Sequence, residues 1–157
     1  EGDVSTLGRE LDLIEAYLDI ERARFEERLR VTIRVPDRLR HLRIPPLLLQ
    51  PLVENAVKHG IAPERRGGDL FIEAHLDDNP SPHLVLEVRD TGAGVSDLEL
   101  RRGREAGVGL KNIERRLAVQ YGDRATLTLL SAPGVGTTAL LSLPAEAGDV
   151  REPVALG

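Results

Sequence analysis

Hydrophobic residues near the start of the chain recur every three or four positions. The stripe consists of Leu7, Leu11, Ile14, Leu18, Phe25 and Leu29, and it is widened by Leu13, Tyr17 and Ile20. This spacing places them on one face of a single long helix over residues 5 to about 29. Ser5 or Thr6 is expected to cap its first turn, because a hydroxyl oxygen accepts an early backbone N–H. Two interpretations stay open: a helix packed on its own domain, or the end of a longer helix bundle.

Strict alternation of apolar and polar residues then predicts half-buried strands. The strand segments are 29–35, 70–76, 84–89, 125–130 and 138–143. Turn residues at 78–82 and 133–136 predict a hairpin around each turn. A last helix is predicted over 110–121, with Gly122 ending it. The order of elements predicts an α+β domain whose sheet is mixed and mostly antiparallel, with helices on one face.

The run from Gln50 to Gly60 combines an apolar and a polar helical face. The apolar side carries Leu48, Leu49, Leu52, Val53, Ala56 and Val57, and the polar side carries Glu54, Asn55, Lys58 and His59. Pro51 is tolerated if the helix starts near Leu47 or Leu48, because N–H groups of the first turn have no intrahelical partner. A solvated face would not need an asparagine, whose helix propensity is poor. The pattern therefore predicts a cleft for a metal ion and a phosphate chain.

Two glycine-rich segments extend this prediction. Asp90 follows an apolar strand and precedes Gly92 and Gly94. A carboxylate at the end of such a strand is costly to bury unless it is hydrogen bonded. The two glycines let the backbone approach a flat group. Gly107 and Gly109 precede a helix, whose free N–H groups suit phosphate. Taken without the other motifs, the Asp90 segment would be interpreted as an ordinary turn and the Gly107 segment as a flexible hinge before a helix. Neither is a Rossmann fingerprint or a Walker A loop.

Composition limits the class of protein. The chain has 157 residues, which is the size of one domain, and its net charge of −5 argues against nucleic-acid binding. It has no cysteine, which excludes disulfides and a cysteine-based zinc site. No apolar run reaches the roughly 18 residues of a membrane span, so the chain as given is expected to be soluble. The absence of methionine predicts a fragment or a processed product.

These segments occur in a recognisable order. The helix with Asn55, the Asp90 segment and the Gly107 segment resemble the N, G1 and G2 boxes of the GHKL nucleotide-binding fold. Residues 44–50 and 14–21 make the sequence similar to the LytS-type sensor histidine kinases, over roughly residues 5 to 144. The resemblance implies a two-layer α/β sandwich of the GHKL (Bergerat) type. It divides the chain into a helix at the end of a dimerisation region (1–29), an ATP-binding catalytic domain (30–145) and a flexible tail (146–157).

The resemblance also implies roles for particular residues. Asn55 would be the Mg²⁺ ligand, Lys58 would meet phosphate oxygens, and these two would be the catalytic residues. Asp90 would bind the adenine amino group. The ATP-binding set is Asn55, Lys58, His59, Asp90, Gly92, Gly94, Gly107, Gly109, Leu110, Asn112 and Thr137. Residues 95–106 would form a lid over ATP, and we interpret the arginines in that lid as a solvated face.

The function implied is ATP-dependent protein histidine kinase activity in a two-component system. The acceptor motif Asn-Pro-His-Phe of these kinases is absent, so the γ-phosphoryl would go to a histidine on an upstream segment and then to a response regulator. The parent is expected to be a homodimer in the bacterial inner membrane, with this domain in the cytoplasm. Pro51 stands where GHKL hydrolases carry a glutamate base, which disfavours an ATP hydrolase. A nucleotide-gated interaction module without phosphotransfer remains an alternative.

Overall fold

The computed structural model describes residues 4–78, 81–96 and 108–146. A short strand, β1 (Ser5–Thr6), leads into helix α1 (Leu7–Phe25). The predicted cap is confirmed, since the Thr6 hydroxyl accepts the Arg9 N–H at 3.3 Å. The helix ends earlier than predicted, because Glu26 has a φ of 55° and a 3₁₀ turn, Glu26–Arg28, follows.

The apolar stripe of α1 lies in the hydrophobic core shared with the rest of the domain. The predicted widening of this stripe is wrong for Leu13 and Ile20, which are 47% and 67% exposed because their part of the helix surface faces away from the core. Tyr17 is partly buried beside it. The helix therefore packs on its own domain, and its place at the end of a dimerisation region stays a prediction.

A mixed sheet forms the other layer of the molecule. Its strands, in spatial order, are β2 (Leu29–Arg34), β4 (Gly68–Asp77), β5 (His83–Asp90), β7 (Gly136–Pro144) and β6 (Thr126–Ala132). The strands β2 and β4 pair in parallel, and the other neighbours pair antiparallel. Strand β3 (Arg43–Ile44) pairs separately with β1. Both predicted hairpins, β4–β5 and β6–β7, are confirmed.

Only one face of this sheet is deeply buried. The register aligns Ile72 with Val88, and Val88 with Ala139, so that buried side chains form rows across the central strands. The same rows continue with Leu86 opposite Leu141. The helices pack on this face and share its core, which confirms the predicted α+β architecture.

The helix that carries the polar face differs from its prediction at both ends. Helix α2 (Gln50–Asn55) begins after the predicted Leu47 or Leu48, because Leu47 takes a left-handed backbone with φ of 56°. Pro51 lies in the first turn, where it is tolerated. From Ala56 to Ile61 the chain continues as a π-helix, a form that often occurs at functional sites.

Helix α3 (Val108–Tyr121) ends at Gly122, whose φ is 64°, and a 3₁₀ turn, Gly122–Arg124, leads into β6. In the described ranges, no helix is both long and apolar enough to cross a membrane. Most of the predicted lid, including its arginines, and the predicted tail beyond Glu146 lie outside the described residues.

Candidate functional site

Asp90 ends the central strand β5 with its side chain buried, and only 4% of its surface is exposed. Its Oδ1 accepts the backbone N–H of Gly92 at 2.8 Å, and the N–H of Thr137 also hydrogen bonds to the carboxylate. Burial raises the pKa of Asp90, whereas these two hydrogen bonds act in the opposite direction. The carboxylate is thus held in place by backbone donors in a poorly solvated position.

Three glycines allow the backbone to enclose this carboxylate. A Cβ atom on Gly60, near the end of the π-helix, would lie 2.5 Å from Asp90 Oδ1. A Cβ on Gly92 would lie 2.0 Å from the Gly60 carbonyl oxygen, and one on Gly136 would lie 2.0 Å from the Asp90 carbonyl oxygen. At Gly92 the close neighbour is thus the chain's own backbone, and the predicted approach of Gly92 to a flat ligand stays a prediction. Sequence reasoning did not assign Gly60 and Gly136, although each adjoins a predicted site residue.

The loop after Asp90 is fixed to the β6–β7 hairpin. Gly94 has a φ of 66°, and a Cβ there would lie 2.0 Å from the Ala132 carbonyl oxygen. The Ser131 hydroxyl lies 2.7 Å from the Thr137 hydroxyl and accepts the Val95 N–H at 2.9 Å. Ser131 therefore holds Val95 and Thr137 together. Nothing in its local sequence distinguishes it from other strand serines, so it was missed.

The polar face of α2 and the π-helix is confirmed. Glu54, Lys58 and His59 are exposed and Asn55 is half-buried, while the predicted apolar side lies in the core. Glu54 accepts a hydrogen bond from Gln50 Nε2 at 2.9 Å. The segment from Asn55 to Gly60 thus runs from the predicted metal ligand to the backbone that contacts Asp90.

A groove of about 290 Å³ separates this polar face from α1. It is lined by Tyr17, Glu21, Arg24, Phe25, Glu54, Val57, Lys58 and Ala62. Burial raises the pKa of Tyr17 to about 12, and the carboxylates of Glu21 and Glu54 contribute in the same direction. Lys58 therefore borders both this groove and the predicted phosphate end of the site.

The remaining predicted residues belong to the second glycine segment. Leu110 is partly buried against the core, and Asn112 is exposed on α3. Gly109 lies in the first turn of α3, and Gly107 lies outside the described residues. What the structure brings together is Asp90, Gly92, Thr137 and Gly60 of the π-helix that follows Asn55. A buried acceptor beside glycine backbone suits a flat group that donates a hydrogen bond, such as a purine amino group.

A family model described as histidine kinase-, DNA gyrase B- and HSP90-like ATPase matches residues 43–147. This range contains the Asn55 helix, the Asp90 segment and Thr137. The chain belongs to this family. The resemblance that the three motifs indicated is thereby confirmed.

Two curated relatives with similar sequences are named as sensor proteins. The sensor protein LytS of Staphylococcus haemolyticus is 38% identical over 147 residues, which cover 88% of this chain and 24% of that protein. The sensor histidine kinase YesM of Bacillus subtilis is 33% identical over 142 residues, which cover 90% of this chain and 24% of that protein. The chain therefore spans about a quarter of the length of these relatives.

Solved structures agree on the fold. The histidine kinase domain of the blue-light activated histidine kinase from Erythrobacter litoralis EL346 superposes with a TM-score of 0.68 at 20% identity, covering 90% of this chain and 66% of that one. The mycobacterial sensor histidine kinase MprB superposes with a TM-score of 0.63 at 18% identity, covering 92% of this chain and 98% of that one. The family member described here thus has the fold of a histidine kinase ATPase domain.

Proposed function

We propose that this chain is the ATP-binding catalytic domain of a two-component sensor histidine kinase. It would transfer the γ-phosphoryl group of ATP to a histidine outside this chain, from which the group passes to a response regulator. Membership of the ATPase family and similarity to the sensor proteins support this function. The observation that carries it is the buried Asp90 carboxylate, enclosed by backbone that includes Gly60 of the π-helix that follows Asn55.

Each end of this site has a distinct task in the proposal. Asp90 accepts a hydrogen bond from the adenine amino group, beside the backbone of Gly92 and Gly94. Asn55 contributes one oxygen ligand to Mg²⁺, which commonly takes its other ligands from phosphates and water. Lys58 and His59 contact phosphate oxygens, with Lys58 acting as a point charge. Bound Mg·ATP supplies the phosphoryl group, and the chain positions it and neutralises its charge.

Transfer to histidine fits this site better than hydrolysis. A hydrolase needs a base for water, and the position one turn before Asn55 is Pro51, which has no titratable group. Glu54 adjoins Asn55 in the sequence, so it lies about 100° around the helix from the predicted metal ligand. A histidine acceptor brings its own nucleophile, so positioning and charge neutralisation are sufficient.

The proposed direct partner of this domain is the dimerisation and acceptor region upstream of it in the parent protein. The parent is proposed to be a homodimer anchored in the membrane, with this domain in the cytoplasm.

Calorimetric titration with a non-hydrolysable ATP analogue and Mg²⁺ tests the binding step. We expect the wild-type chain to bind, and Asn55→Ala and Asp90→Asn to bind much more weakly while remaining folded. A chain that binds no nucleotide, or variants that bind as tightly as wild type, would contradict the proposal.

A longer protein that includes the upstream region tests the transfer step. With γ-labelled ATP we expect acid-labile phosphohistidine. Tight binding without any transfer would instead favour the nucleotide-gated interaction module, and steady release of phosphate would favour a hydrolase.

A further inference from the structure

Leu47 lies in a strained turn immediately before the helix that carries Asn55. Its φ of 56° falls in the left-handed region, which is unfavourable for a residue with a Cβ atom. Its side chain is 55% exposed, so burial of this leucine does not explain why the conformation is adopted. The residues that follow, Leu48 and Leu49, are fully buried. The turn therefore directs the chain into the core just before α2 begins.

Two charged side chains from other elements bind both backbone groups of Leu47. Glu10, on α1, is 2% exposed and its Oε1 accepts the Leu47 N–H at 2.8 Å. Arg116, on α3, donates from Nη1 to the Leu47 carbonyl oxygen at 3.1 Å and from Nη2 to the Pro46 carbonyl oxygen. Hydrogen bonds that involve an ionised partner are stronger than neutral ones. The left-handed turn is thus held between α1 and α3.

Helix α2 has no side-chain cap of its own that would fix its start. Its N-cap residue is Leu49, and no side chain caps it. The position of the first turn of α2 depends instead on the backbone conformation of Leu47, which sets the direction in which the chain enters the helix. Asn55 closes α2 and Lys58 lies in the next turn, so a rotation or shift at Leu47 would displace both side chains.

We infer that Glu10 and Arg116 are positioning residues for the magnesium and phosphate end of the proposed ATP site. Held between them, the Pro46–Leu47 turn sets the register of the helix that presents Asn55 and Lys58. Because Arg116 belongs to α3, whose first turn contains Gly109, it also connects the two elements predicted to contact phosphate. This inference rests on the proposed function and adds residues that touch neither nucleotide nor metal.

The test compares nucleotide binding with and without Mg²⁺. For the whole chain, calorimetry gives the affinity for a non-hydrolysable ATP analogue in Mg²⁺ and in EDTA. Arg116→Ala is expected to weaken the Mg²⁺-dependent affinity roughly tenfold, the low end of the loss for a group bonded directly to a metal ligand, because Arg116 acts on Asn55 only through the turn. Its affinity in EDTA, which depends more on Asp90, should change less. The matched control is Arg115→Ala, at the exposed neighbouring arginine on the same helix, which should keep both values.

Two further variants separate positioning from general loss of stability. Arg116→Lys keeps the charge but not the fork that reaches two carbonyls, so it should restore binding only in part. Adding Leu47→Gly to Arg116→Ala should also restore part of it, because glycine adopts a positive φ without steric cost. A folded Arg116→Ala protein with wild-type Mg²⁺-dependent affinity would overturn the inference. If that variant does not fold, Glu10→Gln and Arg116→Lys carry the same test.

A readout without nucleotide keeps this inference separate from the proposed function. The side-chain amide resonances of Asn55 in ¹⁵N-labelled protein should shift in Arg116→Ala and stay in place in Arg115→Ala. If wild type binds no ATP, the proposed function fails while the amide shift still decides whether the turn positions Asn55. An unmoved Asn55 amide in a folded Arg116→Ala protein would refute the positioning role.

Discussion

Replacing Gly60 by alanine is expected to weaken nucleotide binding while leaving the protein folded. The added Cβ would lie 2.5 Å from the Asp90 Cγ atom. Because carbon atoms pack at about 3.5–4.0 Å, the carboxyl group would have to move by roughly 1 Å. That movement would disturb the 2.8 Å hydrogen bond from the Gly92 N–H and displace the acceptor proposed for adenine.

The size of both effects follows from ordinary magnitudes. A hydrogen bond to a charged group contributes about 1.5–3 kcal/mol, so losing the bond from Asp90 to the ligand should weaken binding roughly 10- to 100-fold. Overpacking costs about 1–3 kcal/mol, and the better helix propensity of alanine returns about 1 kcal/mol. The net loss in the free energy of unfolding should therefore be at most about 2 kcal/mol.

Calorimetry with an ATP analogue and Mg²⁺ measures the first effect, and urea unfolding measures the second. Gly8→Ala is the control, because Gly8 is also a buried helical glycine, and its added Cβ would lie no closer than 3.2 Å to Arg40. That variant should bind as wild type does. If Gly60→Ala remains folded and binds with wild-type affinity, Asp90 does not contact the nucleotide and the reasoning is wrong.

Three further predictions use independent measurements. Burial raises the pKa of Asp90 above its ordinary 3.8, so the folded state binds the carboxyl proton more tightly than the unfolded state does. The contribution of Asp90 to stability is therefore greatest below pH 3.8, and it is lost as the pH rises through the pKa of Asp90 in the folded state. The free energy of unfolding of wild type minus that of Asp90→Asn should fall as the pH rises from 3.8 through the folded-state pKa and then level off. A rise over this pH interval would show that burial does not raise the pKa of Asp90. Leu141→Ala, at a fully buried position, should lower the free energy of unfolding in urea by about 2–5 kcal/mol. Val119→Ala, at an 83% exposed position, should change that free energy by less than about 0.5 kcal/mol. Equal losses in the two variants would refute the described core. An absorbance titration at alkaline pH should show a tyrosine phenol with a pKa of about 12, and Tyr17→Phe should remove that transition. If every tyrosine titrated near the ordinary pKa of 10.0, the partial burial of Tyr17 in the groove would be refuted.

Local periodicity was sufficient to predict the five strands of the main sheet, the first and last helices, and the two faces of the helix that carries Asn55. The buried set on that helix and the alternation in β4 and β5 follow directly from residue spacing. Periodicity did not distinguish Leu13 and Ile20 from the buried stripe, because the width of an apolar face depends on what packs against it. It also did not predict the π-helix from Ala56 to Ile61, since the same apolar spacing is satisfied by an α-helix.

The start of α2 and the surroundings of Asp90 depend on contacts between distant parts of the chain. Leu47 takes its left-handed backbone where Glu10 and Arg116 bind it, and nothing near Leu47 in sequence indicates either partner. The family resemblance assigned Asp90 a ligand, but not the packing of Gly60 against its carboxyl group. Sequence therefore named the side chains of the candidate site, whose roles stay predictions, and tertiary structure supplied the contacts that position them.

The pairing of β5 with β7 has a consequence for the order in which the protein folds. The hairpins β4–β5 and β6–β7 join neighbouring segments and can close early, on a timescale of about 1–10 μs for hairpins. Asp90 meets Thr137 only when these two hairpins align edge to edge, a non-local step that comes at a higher entropic cost. If Asp90 binds adenine as proposed, that binding would therefore require the two hairpins to have paired already, and ATP would favour chains in which they have paired.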